Sequence, residues 1–410
     1  MTTKSVFKTI HLFLLGIMVL TIPYYIAPSF LLLLSILLFL ITLYTSNIKI
    51  QSLLKEKTFL FLFLFLIMTY LSALWSPAEH IFEGNFKVNI MGYLNTFFLM
   101  PAIYFSNLSK EKIKILFYLT AISPVIYIIT YYTNFFGLSH IISIHYDPLN
   151  GNKHLYVDLF ANLFIAFSGI FLYIKLFSYF FKQEFKKMFF FLILFGIVTV
   201  SIVIYEPSSS RLITLSYGLT LIYITLYNIS SKAKIFTLLG SLLLMIFLIS
   251  TSEGFKKGIH EVEDTYTQQK FEGSWGHRLK LAQYGLQMFT EHPFIGRGTT
   301  DIIDKMRENK KNNPEDFHDG TVHFHNQHIL ILVQVGILGY LLFLIFIYYT
   351  YKLKTKNLEL NLYKNSIIIM YMILMIGEHY LQWTHTVTFF ILIIALFILY
   401  IKQETLETSQ

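Results

Sequence analysis

Residues 325–346 read HNQHILILVQVGILGYLLFLIF. Four polar residues open the stretch, and an almost unbroken apolar run follows and continues to residue 350. A run of that length crosses the hydrocarbon core of a bilayer. It must do so as a helix, because lipid offers no partner for a free backbone N–H or C=O. The same reading applies to 9–27, 29–45, 58–75, 88–105, 114–134, 155–175, 188–205, 211–230, 234–251, 365–381 and 384–401. The expected fold is therefore an all-α polytopic membrane protein of about twelve transmembrane helices with one long, partly helical outer loop.

Composition supports this reading. Over the 410 residues, 55% are hydrophobic, 18% aromatic and only 14% charged. There is no cysteine, which excludes disulfides, thiolate metal sites and cysteine nucleophiles. The sequence pI of about 9.2 is the product of lysine-rich connections and does not indicate nucleic acid. Lys4 and Lys8 precede the first apolar segment, which contains Pro23 and no small-residue cleavage site. It reads as a retained helix, not a signal peptide.

Basic residues orient the chain. With the N-terminus inside, the inner connections hold Lys49, Lys55, Lys57, Lys110, Lys112, Lys114, Lys182, Lys186, Lys187, Lys232, Lys234, Lys352, Lys354, Lys356 and Lys364. The short outer ones hold only Lys87, Lys153 and Arg211. Both termini come out cytoplasmic. The division is 1–251 for helices one to nine, 252–324 for the outer loop or cap, 325–401 for helices ten to twelve, and 402–410 for a cytoplasmic tail. On this orientation all four arginines, Arg211, Arg278, Arg297 and Arg307, lie outside, as do all histidines but His11. The chain otherwise uses 28 lysines, so arginine at these places points to a permanently charged planar fork for an anion.

Within the outer segment, 276–290 (GHRLKLAQYGLQMFT) has helical periodicity, with Leu279, Ala282, Leu286 and Phe289 on one face. His292-Pro293 ends it, and Gly296-Arg297-Gly298 marks a turn. The stretch 305–320 (KMRENKKNNPEDFHDG) reads as a charged loop.

His325 and Asn326 open a spanning helix at its outer end. The positive end of the helix dipole favours a neutral imidazole there, as a general base requires. Gly336 and Gly339 follow one turn apart and would admit a closely packed neighbouring helix. Arg211, after Pro207 and three serines, begins another helix and combines a guanidinium with free N–H groups. Arg278 lies on the loop helix and Arg297 in the glycine turn. Glu378, His379 and Asp158 are secondary candidates for a polar pocket around His325. An interfacial histidine, a helix cap and a solvated helix face would present the same residues. His323, His325 and His328 lack a carboxylate at ligand spacing, so no metal is expected. Helix centres nearly free of ionisable groups argue against a transporter.

Together these features resemble the O-antigen ligase and polymerase superfamily of bacterial envelope membranes. The resemblance rests on His325-Asn326-x9-Gly336-x2-Gly339, on the long outer segment before that motif, on Arg211 before the eighth span, and on Arg278 with His292-Pro293-x-x-Gly296 in the loop. It covers most of 190–345; the N-terminal half agrees only in hydropathy. It implies a multi-pass protein of the Gram-negative inner membrane with a periplasmic active site. It implies a ligase that moves a glycan from undecaprenyl diphosphate to the lipid A–core, inverting the anomeric centre without metal or cofactor. His325 would be the base, and Arg211 and Arg278 would hold the diphosphate, with Arg297 and Asn326 secondary. Partners would be the glycan-lipid donor, the lipid A–core acceptor and membrane lipids, with no nucleic acid. An O-antigen polymerase and a protein O-oligosaccharyltransferase share the motifs; a lipid-linked glycan transporter is the reading from a different class.

Overall fold

The computed structural model describes residues 3–24, 27–46, 48–76, 85–133, 155–204, 211–228, 239, 253–267, 273–314 and 324–408. These residues are almost entirely helical. In chain order the helices are α1 (Thr3–Thr21), α2 (Pro28–Thr45), α3 (Ile50–Lys55), α4 (Lys57–Leu71), α5 (Asn85–Tyr104), α6 (Lys110–Thr133), α7 (Leu155–Phe181) and α8 (Phe185–Ile204). They continue as α9 (Arg211–Asn228), α10 (Glu253–Thr267), α11 (Gly273–Glu291), α12 (Asp301–Asn312), α13 (Gln327–Lys352), α14 (Leu358–Leu374) and α15 (Thr384–Thr408).

Eight of the described helices, α1, α2, α4, α6, α7, α8, α13 and α15, are long and apolar enough to cross a membrane. Helices α5, α9 and α14 fall where spans are expected but are shorter or more polar. The apolar segment 234–251 lies outside the described residues, apart from residue 239.

Helix α15 is the central post. Every residue from Thr384 to Tyr400 is buried, because α5 packs along one side of it and α6, α14 and α2 complete the enclosure. Buried polar groups stitch these apolar helices together. Asn95 of α5 accepts from Ser35 of α2 and donates to Thr388 of α15. In lipid such bonds fix which helix faces meet, since burial of apolar surface alone does not distinguish a helix from a lipid tail. Helix α15 does not stop at residue 401 but runs to Thr408, and Lys402 Nζ donates to Tyr104 O at 3.2 Å. The expected tail thus begins as helix.

One expectation for 252–324 needs correction. Residues 301–312 form a helix that takes in the first part, 305–312, of the stretch expected to be a charged loop, because Ile302 and Met306, four residues apart, bury together against α11 and the start of α13. The buried face of α11 is carried by Leu281 and Met288, whereas Leu286 is exposed. Gly285 decides the rotation: a Cβ there would stand 2.3 Å from Ile329 Cγ2. Only a bare backbone allows α11 so close to α13, and Ala282 and Phe289 pack beside the same cluster. An amphipathic helix, α10, precedes them and packs on α11.

Candidate functional site

Asn326 is the N-cap of α13, its side chain accepting from the Ile329 N–H at 3.1 Å. His325 stands just before it at φ +48°, in the left-handed region that few side-chain-bearing residues adopt. The next residue, Gln327, is fully buried and ties this corner down. Its N–H donates to Met375 O at 2.9 Å, and its side-chain oxygen accepts from the Leu381 N–H at 3.0 Å. The connection between α14 and α15 is thereby fastened to the first turn of α13.

That connection carries Glu378. One carboxylate oxygen lies 2.8 Å from His325 Nδ1, and the other pairs with His379 Nδ1 and accepts the His379 N–H at 3.0 Å. Burial by itself would raise the Glu378 carboxyl, but the two imidazoles outweigh it and hold the group well below the ordinary carboxylate range. An ionised Glu378 accepts from Nδ1–H of His325 and leaves the lone pair on Nε2. The helix dipole is therefore not the only field on His325; a carboxylate opposes it and orients the ring. His379 is buried and packs on Trp383, ring centres 5.4 Å apart.

Arg278 and Leu212, the residue after Arg211, approach the same connection. A Cβ on Gly377 would lie 3.7 Å from Arg278 Nη1 and 2.6 Å from Cδ2 of Leu212, the residue after Arg211. Arg278 of α11 and the first turn of α9 therefore both border the residue next to Glu378. Arg278 makes no ion pair among the described residues. Arg211 Nη1 lies 3.6 Å from Glu261 Oε2 of α10 and against Gly258. The serines 208–210 and the side chain of Asp158 lie outside what the structure describes, as do the histidines of 140–154.

A second feature locks the loop to the membrane helices. Gly336 breaks α13 with φ +63° and ψ −168°, a conformation open only to glycine. The break frees the N–H groups of Ile337 and Leu338 and the carbonyls of Val333 and Gln334. The turn 293–298 takes up all four. Ile337 N–H donates to Pro293 O at 2.8 Å and Leu338 N–H to Phe294 O at 3.2 Å. In return Arg297 N–H donates to Val333 O at 2.8 Å and Gly298 N–H to Gln334 O at 3.0 Å. Two helical bonds are replaced by four to the turn. Gly336 thus receives a loop, not the neighbouring helix expected of it. Gly339 does face a helix, its would-be Cβ 3.4 Å from Met68 Sδ of α4.

Residues 159–344 match a family model described as O-antigen ligase. Over these residues the chain is similar to the O-antigen ligase family. It contains Arg211, Arg278, Arg297, His325, Gly336 and Gly339, while Glu378 and His379 lie beyond it. Enzymes of this family transfer glycans, as ligases or polymerases. No curated protein matches the chain significantly.

Within the matched region, Arg297, a secondary candidate, pairs with Glu291, its side chain 13% exposed. That ion pair clamps the turn which fills the α13 break. Arg307 pairs with Asp304 at 3.3 Å on the exposed side of α12. Gln327 and Gly377 escaped notice in the sequence. A glutamine in the first turn of an apolar helix was the available signal for the first; nothing local marked the second.

Proposed function

We propose that this chain transfers a glycan from a polyprenyl diphosphate, undecaprenyl diphosphate in bacteria, to the lipid A–core as an O-antigen ligase. His325 Nε2 takes the proton of the acceptor hydroxyl. The acceptor oxygen bonds to the anomeric carbon from the side opposite the diphosphate. The bond from that carbon to the diphosphate oxygen breaks, its electron pair leaves with the diphosphate, and the anomeric centre inverts. Glu378 keeps the Nδ1–H tautomer and stabilises the imidazolium as it forms. Arg278 and Arg211 hold the diphosphate by charge-assisted hydrogen bonds, with no metal required. Glu261 occupies Arg211 before the donor arrives, which keeps a guanidinium poised near the leaving group. The site faces the periplasm, both termini are cytoplasmic, and the protein resides in the inner membrane, following the lysine distribution.

The observation that supports this reading best is the His325–Glu378 pair beside a residue bordered by Arg278 and Leu212. A base with its orienting carboxylate and a guanidinium with no ion pair among the described residues suit the loss of a diphosphate from an activated sugar. Deleting the chain and analysing the envelope lipopolysaccharide tests it. Bare core together with polymerised glycan on the prenyl carrier supports the ligase. Core bearing one repeat indicates a polymerase, and unchanged lipopolysaccharide with unglycosylated protein an O-oligosaccharyltransferase. Complementation with His325→Ala should fail while the protein remains inserted.

A further inference from the structure

At the end of the bundle remote from His325, α6, α7, α8 and the start of α14 border a cavity of about 360 Å³. Its charged lining is Lys114, Lys175, Lys182, Lys187, Glu184 and Glu359. Two carboxylates cannot neutralise four ammonium groups, so the cavity is electropositive. Both carboxylates are already engaged. Glu359 accepts from Lys175 and Ser178, and Glu184 pairs with Lys187. Lys182 is 3.4 Å from Glu359 but 56% exposed. Lys114 is exposed and makes no ion pair among the described residues. Lys175 is held in place by the Tyr118 and Phe171 rings, 4.7 Å and 5.6 Å from Nζ.

Charge alone would admit any anion. The surface beside the cavity is more selective. Phe180, Phe181, Phe185 and Phe189, interleaved in sequence with the cavity's lysines, are 54%, 56%, 59% and 61% exposed. Helix α8 is the least buried of the candidate spans, so this aromatic wall faces lipid. A cationic recess next to a lipid-facing apolar wall fits an amphiphile with an anionic head. We propose that the cavity binds the phosphate-bearing headgroup of an anionic phospholipid, with its acyl chains lying along the α7–α8 phenylalanines. On the lysine distribution this is the cytoplasmic leaflet. The proposal does not rest on the glycosyl-transfer reading.

Native mass spectrometry of the full chain in neutral detergent tests it, with phosphatidylglycerol, phosphatidylcholine and inorganic phosphate as probes. Wild type should retain phosphatidylglycerol over phosphatidylcholine. A Lys114→Gln/Lys182→Gln variant leaves the Lys175–Glu359 pair intact and should lose retention about five-fold per lysine. The corresponding double arginine variant should retain the lipid. Equal retention of the two lipids by wild type, or an unchanged preference in the glutamine variant at an unchanged melting temperature, would overturn the proposal. Displacement of phosphatidylglycerol by millimolar inorganic phosphate would also overturn it, in favour of a free-anion site.

Discussion

Replacing Glu378 by glutamine keeps the side-chain volume and removes the charge shared by two imidazoles. The bond to His325 at 2.8 Å is the one that strengthens as that ring accepts a proton. A hydrogen bond to a charged group contributes about 1.5–3 kcal/mol, which corresponds to a fall of about 10- to 150-fold in kcat. The amide adds a second effect. If its NH2 faces His325 Nδ1, the ring must carry its proton on Nε2, the nitrogen needed as base. The wrong tautomer costs about 10⁴-fold in a serine hydrolase triad. Glu378→Gln should therefore lower kcat by about 10² to 10⁴ with KM little changed, because Glu378 orients the base and does not touch the donor. The assay is glycan transfer from a prenyl-diphosphate donor to a lipid acceptor by the full chain in nanodiscs. His379→Ala, which removes the other partner alone, should cost about ten-fold or less. A folded Glu378→Gln protein within about three-fold of wild-type kcat would refute the orienting role and with it the tautomer assigned to His325.

Arg278→Lys keeps the charge but loses the planar fork; transfer should fall by about 10²-fold or more, and near-wild-type rates would remove the guanidinium from diphosphate binding. Arg297→Ala should instead leave transfer within about ten-fold of wild type and lower the melting temperature, since its partner is Glu291; a complete loss of transfer in a stable protein would return Arg297 to the site. Gly336→Ala places a Cβ 2.3 Å from Phe294 O. Forcing alanine into this backbone costs about 1–3 kcal/mol and loosening the four turn hydrogen bonds adds about 0.5–1.5 kcal/mol each, so a loss of about 3–9 kcal/mol is expected. Hydrogen exchange at the Arg297 and Gly298 amides would report it, and unchanged protection would argue against the turn. The Glu378 carboxyl is depressed in the folded state, so its stabilisation is complete above its ordinary value of 4.5 and lost as pH falls through the folded value. The melting-temperature gap between wild type and Glu378→Gln should be wider at neutral pH than in strong acid; a gap that widens on acidification would contradict the direction of the shift.

Much of this protein is legible one segment at a time. Hydropathy is a sum over neighbouring residues, so the apolar helices, the polar 252–324 segment and the place of His325 at a helix start follow from composition and run length. The uneven use of lysine and arginine likewise separates two ends of the bundle without knowledge of packing. What the tertiary structure alone decided are the partnerships. Glu378 meets His325 only because buried Gln327 fastens the α14–α15 connection to α13. Gly336 and the 293–298 turn sit far apart in the chain, and neither shows in isolation that each completes the other's hydrogen bonds. The side of α11 that packs on α13 is likewise not legible from periodicity, which counts apolar side chains, because the close approach is set by Gly285, which has none. A hydrogen-bond partner or a steric allowance depends on which distant backbone arrives, and no local sum over residues contains that information.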